Sequence, residues 1–118
     1  MEKSQVAELL YQALETEKGG VQVYRTAIMC AQNPDLKEEW EKYLEQTMEH
    51  EQILLGVFET LGLEPAKETP GRLIVRHKGE ALIAAMEMAL EAGDLAAAEI
   101  VAAEWSWMPR RRITRTGS

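Results

Sequence analysis

Cysteine is almost missing from this chain, and aromatic residues are scarce. The one cysteine, Cys30, excludes an internal disulfide and a cysteine-based zinc site. Aromatics make up 6% of the residues while hydrophobic residues as a whole make up 46%, so the core must be aliphatic and alanine-rich. That favours packed helices over sheets. No apolar run approaches the roughly 20 residues of a membrane span, and Met1-Glu2-Lys3-Ser4 is not a secretory signal. A reducing cytoplasmic setting is therefore expected. Positive charge is also in short supply: 13 basic residues face 20 acidic ones, a net charge of −7. An acidic balance argues against nucleic acid or an anionic membrane as the main partner. The length, 118 residues, suits one domain with a modest core.

The stretch from Leu36 to Leu61 carries the clearest pattern. Steps of four and three give one helical seam: Leu36, Trp40, Tyr43, Thr47, His50, Leu54, Val57 and Leu61. Thr47 and His50 break the apolar stripe at mid-length, on one face, and demand partners. A first helix is predicted from Ser4, as N-cap, to Ala31, with the seam Ala7, Leu10, Leu14, Glu17, Val21, Tyr24, Ile28 and Ala31. Glu17 interrupts that stripe, and Gly19-Gly20 follow it. Two glycines inside a helix are tolerated where another backbone comes close or the helix is distorted. Asn33-Pro34-Asp35 separates these two helices and makes them antiparallel neighbours.

Gly62 closes the second helix, and Leu63 to Thr69, broken by Pro65, is read as a connector that crosses between the ends of the bundle. Thr69-Pro70 opens a third helix ending near Gly93, with a wide apolar arc of Ile74, Ala81, Leu82, Ala84, Ala85, Met88 and Ala89. Asp94 caps a short fourth helix, Leu95 to Glu104. The fold class read from this is all-α, an antiparallel four-helix bundle with three long helices and a truncated fourth.

Counting from Pro34, Glu17 lies seventeen residues back and His50 sixteen on, so the two fall at one level in an antiparallel pair. Carboxylate oxygen and imidazole nitrogen together suit iron, manganese or zinc. On these residues the chain resembles the ferritin-like superfamily, the rubrerythrin and bacterioferritin kind of four-helix bundle. That pattern takes one Glu from each of two helices and Glu-x-x-His from each of the other two. The resemblance covers Ser4 to Glu104. Glu17, with Tyr24 seven residues on, resembles the first-helix glutamate, His50 the second-helix histidine, and Glu80 the third-helix glutamate. Thr47 stands where the pattern places a bridging glutamate, and the fourth-helix Glu-x-x-His is missing. The resemblance implies a metal site of Glu17, His50 and Glu80, with Thr47, His77, Glu87 and Glu104 as secondary candidates. It also implies iron or manganese, and redox or peroxide chemistry, at a site compromised in this chain. No residues for an organic cofactor are identified, and substrate and electron partner are not disclosed.

The alternative is a non-catalytic helical-bundle dimer in which Glu17 and His50 form a structural hydrogen bond. In that reading Thr47 bonds back to the Tyr43 carbonyl. Either way, a stub fourth helix leaves an apolar seam uncovered, so self-association into a homodimer is expected.

Residues 105–118 differ from the bundle at 1–104. They hold four of the arginines, two of the three tryptophans and no acidic residue. Without them nine basic residues would face twenty acidic ones, a net of −11. The stretch is read as an aberrant basic tail outside the native fold, produced by a frameshift, with a native tail and vector-derived residues as the rivals. Trp105-Ser106-Trp107-Met108-Pro109 largely dictates the bases TGG TCN TGG ATG CCN if the serine codon is TCN. After the loss of one base following Glu104, permitted codons read V-V-D-A-E-T-K-D-H-P-N-W-E. That acidic peptide would extend the fourth helix, and its E-T-K-D-H echoes Gln46 to His50. Third-base choices are free, so part of the match is selected: its histidine requires ATC at Ile113. Sequencing the coding DNA tests this reading. Codons that cannot yield the helical peptide after a one-base shift would end it.

Overall fold

The computed structural model describes residues 2–106. Four helices, α1 (Lys3–Cys30), α2 (Pro34–Leu61), α3 (Pro70–Glu91) and α4 (Leu95–Ser106), account for the architecture, with no strand among the described residues.

Local chemistry sets most of the helix ends. Asn33 Oδ1 accepts from the Asp35 and Leu36 amides at 2.8 and 3.3 Å, and Pro34 opens α2 without losing a needed donor. Gly62 ends α2 at a φ of 71°, where its lack of a Cβ removes the usual penalty, and the Leu63 amide bonds to the Phe58 carbonyl at 2.9 Å. Thr69 Oγ1 caps α3 through the Arg72 amide at 3.1 Å, and Asp94 Oδ1 caps α4 through the Ala97 amide at 3.1 Å. The first helix starts two residues earlier than predicted. Glu2, not Ser4, is its N-cap, and the Gln5 side chain accepts from the Glu2 amide at 3.1 Å.

α1 is the central element. α2, α3 and α4 all pack on it, and α4 also packs on α3, whereas α2 has α1 as its one substantial helical neighbour. α2 runs antiparallel to α1, as Tyr11 beside Phe58 and Tyr24 beside Trp40 show. α3 runs parallel to α1: Thr69 meets Glu8, Arg72 meets Glu15, and Gly79 meets Gly19. The connector therefore turns back at one end, and the crossing expected of it is not made. Reach alone forbids that crossing. The eight residues 62–69 extend at most about 28 Å, against about 42 Å for the length of α2.

The direction of α3 also changes which of its residues are inside. Gly79, Met86 and Arg72 face the interior, while Ile74 and Met88 of the predicted apolar arc are 71% and 70% exposed. The reason lies at the Gly19–Gly79 approach. A Cβ on Gly79 would sit 3.9 Å from the Gly19 Cα, so these helices nearly touch there. The predicted cause of the tolerated glycine pair, a close neighbour, is thus present. The indole of Trp105 fills the notch, 3.2 Å from a Cβ built on Gly19. Trp105, assigned from composition to the tail, belongs to α4 and is buried, although its Nε1 has no hydrogen-bond partner among the described residues. Residues 107–118 lie outside the described residues, and with them most of the frameshift reading.

Apolar burial falls into two clusters. One joins Tyr24, Trp40 and Tyr43 to Met86, Ala98, Ala102 and Trp105; the other holds Tyr11, Leu14 and Phe58. Trp105→Ala should cost about 3 kcal/mol through the cavity it leaves. Trp105→Phe, which keeps ring contact and deletes the orphaned N–H, should cost less than half as much by urea denaturation.

Candidate functional site

Between the two apolar clusters α1 and α2 share a polar level. His50 Nδ1 and Glu17 Oε1 lie 3.2 Å apart, so the register counted from Pro34 holds. The Glu17 side chain is 12% exposed and that of His50 47%. The pair expected inside the bundle therefore sits at its edge, with the carboxylate sheltered and half the imidazole in solvent. Two features account for this. α2 packs substantially on α1 alone, and the described part of α4 stops beside Gly19, short of the Glu17 level. Thr47 is fully buried, and its hydroxyl donates to the Tyr43 carbonyl at 2.7 Å. Its one proton is thereby committed to the backbone.

A separation of 3.2 Å serves two chemistries. It is a hydrogen bond, and it also matches two donors sharing one metal ion, which lie about 3 Å apart when each bond is near 2.1 Å and the angle near 90°. Glu17 and His50 thus fit two adjacent positions of an iron, manganese or zinc ion. The remaining donors do not come from the other predicted ligands. His77 pairs with Glu80 at 3.5 Å, with side chains 76% and 65% exposed on α3. Glu80 lines a groove of about 350 Å³ with Glu15, Lys18 and Glu51 rather than joining Glu17 and His50. Glu87 and Glu104 are exposed on α3 and α4. Burial pushes the Cys30 thiol above its ordinary pKa, and the charges of Glu87 and Glu99 push it further, so it stays protonated. Among the described residues no three His, Cys, Asp or Glu side chains converge as a metal site.

The sequence reading missed the most buried charges. Glu15 Oε1 accepts from Arg72 Nε at 3.0 Å and from Arg76 at 3.1 Å. Arg72 Nη1 also donates to the carbonyls of Pro65 and Lys67, and Arg76 holds Glu68. Arg72 is 3% exposed and Glu15 6%. Glu15 sits on the stripe of α1 that faces α3, one residue past Leu14 of the seam read for α2, and Arg72 and Arg76 reach it from α3. The glycine pair was the one signal that such a second face existed.

Comparison of the chain with protein-family models, curated proteins and solved structures finds no match. The site is therefore read from its own residues.

Burial opposes the Glu15 charge, but hydrogen bonds from Arg76 and Arg72 outweigh it and hold the carboxyl below its ordinary pKa. A depressed folded-state pKa stabilises the fold above the unfolded carboxylate range and is lost as pH falls through it. Thermal melts should show the chain losing stability as pH falls below about 5 and on through the lowered Glu15 range, with a shallower loss in Glu15→Gln. Arg72→Ala should cost about 3 kcal/mol at neutral pH, because it leaves a buried carboxylate half-satisfied.

Proposed function

We propose that this chain is a metal-binding helical bundle of the ferritin-like kind, in which Glu17 and His50 hold iron or manganese. The observation that carries the reading is the meeting of Glu17 and His50 across two antiparallel helices, one carboxylate and one imidazole at a shared polar level. Evolved bundles build such sites from side chains on facing helices. The bound ion would supply Lewis acidity or electron exchange; the chain's residues supply position. Glu17, sheltered from water, fixes the carboxylate direction, and the antiparallel α1–α2 register brings the imidazole to it. Zinc lies within the same donor chemistry. Redox or peroxide chemistry would follow from the ferritin-like kinship, which the short α2–α3 connector counts against.

A second reading has its own support. Because no third donor converges among the described residues, Glu17 and His50 also suit a structural pair in a non-catalytic bundle that self-associates. A half-exposed pair of this type is worth at most about 1 kcal/mol.

Metal analysis of protein purified without chelator separates the two. The metal reading expects at least half an equivalent of iron or manganese per chain, lost in Glu17→Ala and His50→Ala with thermal stability nearly unchanged. Less than a tenth of an equivalent in the unaltered chain, with a lower melting temperature in His50→Ala, would favour the structural pair.

A further inference from the structure

We infer that the outward stripe of α3 is a docking surface for a basic amphipathic helix of another protein. The inference stands apart from the Glu17–His50 pair and does not depend on how that pair is read.

α3 is apolar on two opposite faces. Gly79 and Met86 turn to the interior, while Ile74, Ala81, Ala84 and Met88 run along the solvent side, the two large residues 71% and 70% exposed. A helix apolar on both faces has the make-up of a buried one. Steps of seven link Ile74, Ala81 and Met88, with Ala84 between the last two, which is the spacing of a seam that takes a partner helix knob into hole. Alanines at the centre let a second backbone come close, and Ile74 and Met88 stand as larger anchors about 21 Å apart along the helix. His77, the polar residue on this line, pairs with Glu80 at 3.5 Å.

Charge selects the partner. Glu80, Glu87 and Glu91, all exposed, follow one edge of the stripe at steps of seven and four, whereas the other edge carries Lys78, Ala85 and Ala92. A second copy fits this surface poorly. Two-fold antiparallel pairing sets each edge against itself, carboxylates against carboxylates, and parallel pairing sets three carboxylates against a lone lysine. Nucleic acid and anionic membrane are repelled by the same edge and by the net charge of −7. A helix with an apolar seam and lysines or arginines beside it satisfies both features, because it covers the stripe while its cations face the glutamates.

The probe is a synthetic peptide of about three heptads, with leucine at the seam positions and lysine at the flanking ones. A second peptide carries glutamate in place of lysine. Calorimetric titration of the full chain at physiological salt should give micromolar binding of the lysine peptide and none of the glutamate peptide. Ile74→Glu and Met88→Glu, at exposed positions where the fold loses little, should each weaken binding about tenfold. Met29→Glu, equally exposed on α1, should leave it unchanged. Glu80→Lys and Glu87→Lys together should transfer the preference to the glutamate peptide. Binding that ignores both Ile74→Glu and Met88→Glu would mark a general attraction to an acidic body and overturn the inference. So would failure of the lysine peptide to bind, or a homodimer dispersed by Ile74→Glu, which would make a second copy the occupant.

Discussion

The pairing of Glu15 with Arg72 governs how the helices assemble. Desolvating a carboxylate and a guanidinium costs several kcal/mol per ion unless every lone pair and proton finds a partner. Here Arg72 Nη1 donates to the Pro65 and Lys67 carbonyls, and Arg76 supplies Glu15 with a second cation. These contacts tie α3 to one register along α1 in the structure. The connector is drawn onto the same guanidinium, so its path is settled together with the direction of α3. Gly19 then falls opposite Gly79, the two backbones close in, and a slot of the width of an indole is left for α4.

The other side of α1 is organised on a different rule. Toward α2 it is apolar at both ends, with Tyr11 edge-on to Phe58 at 5.3 Å and Tyr24 stacked with Trp40 at 5.9 Å. Glu17, Thr47 and His50 interrupt that seam between the clusters. Apolar side chains at these positions would pack without any need for partners, so the polar level weakens the seam. Thr47 meets its own need through the backbone, and Glu17 and His50 meet each other.

Punctuation was legible because it is local. Asn33, Gly62, Thr69-Pro70 and Asp94 each act within one turn, and each marks a helix end in the structure. The level of Glu17 and His50 was legible too, since a tight turn converts counting into height. Glu15 and Arg72 were not, because 57 residues separate them and neither sits on a periodic apolar stripe. The outward turn of Ile74 and Met88 followed from that same unseen contact. Glu80 shared a helical face with other charges, and nothing in its spacing distinguished an inward from an outward direction. Trp105 was hidden by composition: the basic, tryptophan-rich run after it suggested foreign sequence, while the glycines that receive its ring lie far away in the chain.

The division of the α1–α2 seam has a bearing on motion. Local opening follows local apolar contact, and segments rich in buried rings open least. Amides around Tyr24 and Tyr43 are anchored by three mutually packed rings, and those around Tyr11 by a smaller group. The level of Thr47 and Glu17 has neither. Hydrogen exchange along this hairpin should therefore be slowest near the turn, intermediate near the free end and fastest in between. The polar level would act as a joint between two stiffer segments, and anything bound there would stiffen the hairpin as a whole.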